Sequence, residues 1–374
     1  MDPYDELEDW LVSSPDLEDG EYAVRLDRRI SALTAEEPLG LADVCPRMGG
    51  AFPGLIAAIG RERVLGQTTK SARPYQTHPH ESPGRGEWFF TGDTSEALGS
   101  RAKGAGSALL LGTPSVAEHV DGGLLVDSSP YAAERFAMGE VVQMESTVES
   151  AEIGDDQFDW AVIDPPWYGT AVLEWLARAS RWVRRGGLIN VVLFGDLTRP
   201  SAARERTAVL DIARQIGKIE IETAFISYRT PRFEQQALVA SGLPPLPDWR
   251  RGDLLTVRKS WALPRLPHNE APSEWIDYRL GDHILCARLS SLTRRPSDGP
   301  PLEPVASASR RWTVPTVSRR APEIMGADLW TSENTVAHVN DWPTVISMIN
   351  EFNREGECTE YAHLFDLLFG DGEC

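Results

Sequence analysis

Between residues 108 and 194 the chain repeats one pattern, a short apolar run that stops at Gly or an acid, followed by a polar or helical stretch. Leu109–Gly112 ends in Gly, Leu124–Asp127 in Asp and Asp159–Asp164 (DWAVID) in Asp, while Leu188–Phe194 (LINVVLF) is the strongest buried run. Val141–Glu145 is a further strand candidate. Between these runs, Ala171–Val183 places Val172, Leu173, Leu176 and Val183 on one helical face. Apolar runs of strand length are buried on both faces, and strands separated by helices require parallel crossovers. The pattern predicts an α/β fold with a mostly parallel sheet and helices on both faces. Residues 219–227 (IEIETAFIS) and 253–258 (DLLTVR) predict two late strands.

The flanks read differently, giving three expected regions: an acidic leader and helical region over 1–86, the α/β domain over 87–260, and an accessory α+β region over 261–374. Residues 1–24 hold nine acids and no Lys or Arg, and read as a poorly ordered leader or a short surface helix. Apolar clusters around Leu55, Ile56, Ile59 and Leu65 suit a helix, and 68–86 reads as a linker or loop. A hairpin is expected over 275–292 and helix-like patterning over 323–374, notably 342–352. No run reaches the roughly 18 apolar residues of a transmembrane helix. The start MDPYDELEDW lacks the basic and apolar parts of a signal peptide. The four cysteines are scattered without CxxC pairing. The expectation is a cytoplasmic protein with no membrane association and no structural zinc or disulfide framework.

The formal net charge is −19, but it is unevenly spread. Residues 323–374 hold eleven acids and one Arg, so the two ends account for the excess, whereas 178–259 carry a surplus of Lys and Arg. The basic middle suits a nucleic acid; the acidic ends suit a basic protein partner, or a cover competing for the basic face. On the cover reading, removing 1–24 strengthens RNA or DNA binding at low salt.

The chemistry concentrates at Asp164-Pro165-Pro166-Trp167, at the carboxyl end of an apolar run, where ligands gather in open α/β sheets. The prolines stiffen the turn and remove competing N–H groups. The Asp164 carboxylate and a Pro carbonyl can together accept both hydrogens of one amino group, aiming its lone pair at an electrophile. Trp167 can stack on a flat base or wall an alkyl amine. No metal is required. His78 and His80 read as a surface loop rather than metal ligands. The Arg-rich stretches at 249–253 and 310–320 are candidate phosphate contacts, with Trp312 between two Arg pairs.

This tetrapeptide resembles the signature of class I S-adenosylmethionine-dependent methyltransferases that act on amino nitrogens. The segment Trp88-Phe89-Phe90-Thr91-Gly92-Asp93-Thr94, followed by LLLGTPSVAEH, is similar to the N6-adenine methyltransferase-like subgroup, which includes enzymes acting on protein lysine and on ribosomal-RNA adenine. The resemblance covers roughly 87–259. It implies a Rossmann-like methyltransferase sheet with an antiparallel last strand, and S-adenosylmethionine as cofactor. It places Gly112, Thr113, Pro114 and Ser115 at the cofactor's methionine end, in place of the usual Gly-rich loop. Asp127 would take the ribose, Glu145 would sit near the adenine, and Phe90 and Thr91 would close over the cofactor. Asp164, Pro165, Pro166 and Trp167 would hold the acceptor amine, with Tyr168, Tyr228 and Arg229 as substrate contacts. The implied activity is methyl transfer to an amino nitrogen, adenine N6 in RNA or DNA first. Protein lysine, a polyamine alkyl acceptor (with Asp155 and Asp156 as weak support) and an inactive scaffold are the alternatives.

Overall fold

The computed structural model describes residues 19–60, 63–65, 81–264, 274–305, 312–314, 317 and 321–370. His78 and His80 and the arginines at 310, 311, 319 and 320 lie outside the described residues. The chain divides into two compact units: Met1–Gln67, Phe89–Arg229 and Asp248–Glu270 form the first, and Thr68–Trp88, Thr230–Pro247 and Ala271–Cys374 the second. Residues up to 67 fall in the first unit and 68–86 in the second. No helix among the described residues is long and apolar enough to cross a membrane.

The first unit is built on a seven-stranded sheet. Its strands are β1 (Ala108–Leu111), β2 (Gly123–Asp127), β3 (Val141–Glu145), β4 (Phe158–Ile163), β5 (Val183–Leu193), β6 (Gly217–Ser227) and β7 (Arg251–Lys259), in the order β3-β2-β1-β4-β5-β7-β6. β1 to β5 pair in parallel, and β7 lies antiparallel between β5 and β6. This is the Rossmann-like sheet with an antiparallel last strand that the resemblance implies. β1 is buried throughout, as its all-apolar sequence requires, and Ile163, Val191 and Leu255 are closed from solvent between helices. The unit's longer helices are α1 (Asp19–Leu33), α2 (Pro53–Ile59), α3 (Gly92–Ala102), α4 (Gly169–Trp182) and α5 (Ala202–Ile216). α4 buries Val172, Leu173 and Leu176 against the sheet, the face its sequence spacing predicts.

Two segments differ from the sequence reading. Asp19–Leu33 is a full helix that buries Tyr22, Leu26 and Ile30, so residues 19–24 are part of an anchored element rather than leader. A deletion meant to test the acidic cover must therefore stop at residue 18. In the second unit, Leu329–Thr331 and Val336–Val339 are strands where helix-like patterning was expected. They join β8 (Trp275–Leu280), β9 (His283–Arg288) and β10 (Leu302–Pro304) in an antiparallel sheet, and as β11 and β12 complete the order β8-β9-β11-β12-β10. The expected hairpin is β8–β9, and α7 (Trp342–Glu355) covers the expected helix at 342–352. Helix α6 (Arg232–Ala240) also belongs to this unit.

Candidate functional site

The strand order reverses between β1 and β4, so their carboxyl ends frame a crevice suited to a ligand. Both candidate loops leave from there. The backbone ties them together: Asp164 N–H donates to Leu111 O at 3.0 Å and Gly112 N–H to Val126 O at 2.9 Å. Gly112 turns the chain at φ +63, and a β-carbon there would stand 3.0 Å from the Trp175 indole.

Asp164 meets Tyr228 at the end of β6, whose hydroxyl donates to Asp164 Oδ1 at 2.6 Å. The aromatic-Thr segment is held to the same place by main-chain bonds. Thr91 N–H donates to Ser227 O, Arg229 N–H donates to Phe89 O, and Phe90 bridges Tyr228. The Phe90 ring lies tilted on Tyr228 with centroids 5.1 Å apart, and Thr91 caps α3 by accepting from Thr94 N–H. Burial pushes the Asp164 carboxyl up to about 8, outweighing the Tyr228 hydrogen bond and the Arg250 charge, which both favour the carboxylate. Part of its surface still reaches solvent. Burial and then the Asp164 charge push the Tyr228 phenol well above its ordinary value.

Trp167 is enclosed from several chain segments. Tyr228 meets it edge-on with centroids 5.6 Å apart, and the Arg250 guanidinium lies 5.2 Å over its ring and 5.4 Å over that of Trp249. A β-carbon on Gly50, at φ +81, would stand 2.8 Å from Trp167 Cζ3. The N-terminal segment thus forms one wall of the motif. It is fastened by Thr198 Oγ1 donating to Gly49 O at 2.9 Å, Tyr22 OH to Leu197 O at 2.7 Å and Arg25 to Pro200 O at 2.8 Å.

Behind the motif, Gly169 N–H donates to Glu205 Oε2 at 2.7 Å. Burial opposes ionisation of Glu205, but Arg199, Ser201 and that N–H together hold it below the usual carboxylate range. The Arg199 guanidinium, 5.1 Å over the Tyr168 ring, spans both groups. Gly49–Gly50, Arg199 and Glu205 escape sequence reading because each acts through a long-range contact, and Arg250, read from sequence as a phosphate contact within 249–253, instead lies over Trp167. The Gly-Gly pair is the single local signal.

The remaining candidates distribute unevenly. Thr113, Pro114 and Ser115 are buried in the turn after β1, and the Thr113 and Ser95 hydroxyls, with that of Ser129 after β2, are buried without a hydrogen-bond partner among the described residues. Asp127 ends β2 and accepts from Ser129 N–H at 2.7 Å, so its own turn takes one carboxylate oxygen. Glu145 ends β3 opposite Asp127 in register but is exposed. Arg229 adjoins Tyr228 and is half-buried. A surface cleft of about 660 Å³ runs along α4 beside Glu152, Arg178 and Arg181 and contains none of these residues. It is an open groove on the flank of the sheet, whereas the chemistry gathers at the strand ends.

No protein-family model and no curated protein matches the chain. Solved structures do. The branched-chain polyamine synthase of Thermus thermophilus, in complex with N4-aminopropylspermidine and 5′-methylthioadenosine, is similar over 64% of this chain and 89% of its own, with a TM-score of 0.48 and 12% identity. The tRNA (m1A58) methyltransferase of Aquifex aeolicus covers 47% of this chain and 71% of its own (TM-score 0.33, 13% identity). The 16S rRNA N2 G1207 methyltransferase of T. thermophilus, in complex with AdoMet and guanosine, covers 52% and 45% (TM-score 0.30, 16% identity). Strand order and direction, rather than these distant likenesses, define the fold.

Proposed function

We propose that the chain is an S-adenosylmethionine-dependent transferase that methylates an amino nitrogen, with adenine N6 in RNA or DNA as the acceptor. The observation that carries this reading is the Asp164–Tyr228 pair at the carboxyl end of β4, walled by Phe90 and Trp167. Tyr228 occupies Asp164 Oδ1, which leaves Oδ2 and the Pro165 carbonyl to accept the two hydrogens of an amine. The aromatic walls suit a planar base, and a base in a duplex would first be flipped out.

The residues around the crevice fit the cofactor. The Ser95, Thr113 and Ser129 hydroxyls are buried polar atoms that lack a partner among the described residues, the donor set a methionine carboxylate or ribose would satisfy. Gly112 to Ser115 and Asp127 would hold it. When bound, it supplies an electrophilic methyl group. The chain's own residues orient the acceptor and exclude water. Asp164, with a proton affinity near neutrality, is placed to take the proton the nitrogen sheds after alkylation.

Calorimetry with S-adenosylmethionine and S-adenosylhomocysteine tests the site. Wild type is expected to bind both, and Thr113→Val and Asp127→Ala each to weaken binding about tenfold, the equivalent of one charge-assisted or buried hydrogen bond. A folded wild type that binds neither at millimolar ligand overturns the proposal in favour of a non-catalytic scaffold.

The elevated Asp164 carboxyl supports a second reading, an aliphatic amine such as a lysine or polyamine acceptor. Such an amine is an ammonium with an unperturbed pKa of about 10.4 and must lose a proton first. The two readings differ in pH profile. Methylation of an adenine oligonucleotide should rise as Asp164 ionises around pH 8 and level off above about pH 9. Transfer to spermidine or a lysine peptide should keep rising towards pH 10. A profile that is flat from pH 6 to 10 for every acceptor would remove Asp164 from both readings.

A further inference from the structure

The turn that carries the motif has few main-chain anchors of its own. Pro165 and Pro166 have no N–H, and Tyr168, the residue that precedes α4, gives the helix no side-chain cap. Two bonds to other elements fix its ends. At one end Asp164 N–H donates to Leu111 O at 3.0 Å. At the other, Gly169 N–H, the first of α4, donates to Glu205 Oε2 at 2.7 Å, across 36 residues of sequence. Between them Tyr168 N–H donates to the Pro166 carbonyl at 2.7 Å, so that carbonyl is used inside the turn.

Glu205 is well placed to supply the missing cap. It sits buried in the first turn of α5, where the Ser201 hydroxyl donates to its Oε1 at 2.6 Å and Arg199 pairs with its Oε2. These partners keep it ionised, and a negative charge is favoured at the start of both helices. Gly169 permits the approach: a β-carbon there would stand 3.0 Å from Glu205 Cβ and 3.1 Å from Oε2. The Arg199 guanidinium lies 4.6 Å over the Phe194 ring and 5.1 Å over that of Tyr168, which joins the carboxylate to the residue beside Trp167.

We propose that Glu205 is a positioning residue for the transfer step: it caps α4 from the neighbouring helix, fixes the Pro165–Tyr168 turn, and so sets the Pro165 carbonyl and the Trp167 ring against the Asp164 carboxyl. The proposal rests on the amine-transfer reading above and holds for either acceptor. A nitrogen held by two oxygens is aimed only as well as both are placed. Tyr228 places the Asp164 carboxyl, and the turn places the Pro165 carbonyl. An offset of about 1 Å in such a geometry costs about 10²-fold in rate. Glu205 acts through Gly169 rather than on the acceptor.

The test compares two substitutions in the full chain. Glu205→Met keeps the side-chain length and removes both oxygens. Glu205→Gln keeps an acceptor for Gly169 N–H, while its amide can donate to a Ser201 hydroxyl turned to accept. Methyl transfer from S-adenosylmethionine to a single-stranded adenine oligonucleotide and to spermidine is measured beside backbone hydrogen exchange. Glu205→Met should lower kcat about 10- to 100-fold, with KM and the Kd for S-adenosylhomocysteine within about twofold of wild type. Exchange over 166–172 should quicken about tenfold while 109–116 keeps its rate. Glu205→Gln should restore kcat to within about fivefold of wild type and slow that exchange again. Gly169→Ala, which pushes the carboxylate back, should move both readouts in the direction of Glu205→Met, and it decides the question if Glu205→Met does not fold. A role confined to neutralising Arg199 predicts that Gln is as damaging as Met, since neither carries the charge; that result overturns the proposal. So does a Glu205→Met protein with wild-type kcat, or a loss confined to KM. Wild type that methylates neither acceptor removes the transfer reading. The cap is then judged by exchange alone, and an unchanged rate over 166–172 in Glu205→Met overturns it.

Discussion

Asp164→Asn is expected to abolish most transfer activity and yet make the protein more stable at pH 8. Loss of the proton-accepting carboxylate should lower the rate about 10²- to 10⁴-fold. The stability gain follows from the direction of the carboxyl's shift. An unfolded Asp ionises near 3.9, whereas Asp164 in the fold holds its proton up to about 8. Below pH 4 both states are protonated and there is no difference. Between pH 4 and 8 the unfolded chain has released a proton that the folded chain retains, so stability falls as pH rises, and above 8 the cost is complete. The cost is on the order of a few kcal/mol, held below the full-burial limit by the carboxyl's residual contact with solvent. Asn stays neutral and can still accept from Tyr228. Thermal melts should show the variant above wild type by about 5 °C or more at pH 8.5, and nearly level with it at about pH 3, below the ionisation of the unfolded carboxyl. An equal difference at both pH values would sink the assignment of Asp164 as a buried, proton-retaining carboxyl.

Gly195→Ala is the second large effect, and it acts on the seam between the N-terminal segment and the motif. A β-carbon on Gly195 would stand 2.7 Å from Gly49 Cα, so the clash is with backbone and no side-chain rotation relieves it. Either the Gly195–Pro200 loop or the 49–50 turn must move, at a cost of about 3 kcal/mol. Movement there also frees the wall that Gly50 makes against Trp167. The comparison variant is Thr198→Val, which removes the bond to Gly49 O and should cost only about 1 kcal/mol. Urea unfolding of both variants checks the ratio, and a Gly195→Ala protein as stable as Thr198→Val would show that the seam is loose.

What the sequence made legible follows from how each feature is encoded. β1, β2 and β4 are contiguous apolar runs stopped by Gly or Asp, which is how strands buried on both faces are written, and α4 carries a helical period. The motif at Asp164 could be read because its residues are adjacent. The enclosure of Trp167 could not, since Gly50, Tyr228 and Arg250 lie about 60 to 120 residues from it along the chain and meet it only through the sheet. Tyr228 was visible as a residue at a strand end, but its bond to Asp164 depends on β6 lying beyond β7. β11 and β12, at three and four residues, are too short to show alternation, so the helical period of their neighbours dominates the reading. Tyr22, Leu26 and Ile30 do recur every four residues, a signal that the surrounding acids obscured.

The placement of β7 sets a condition on synthesis. It is the last strand of its sheet to leave the ribosome, yet it occupies the position between β5 and β6. Until residue 259 has emerged, β5 presents the row Ile189–Leu193 with one side unpaired, an apolar β edge of the kind that recruits other chains. β6 cannot stand in for β7, because it pairs only with that missing strand. A nascent chain halted anywhere between 194 and 250 therefore carries an open sheet, and that interval is where a holding chaperone would be needed most.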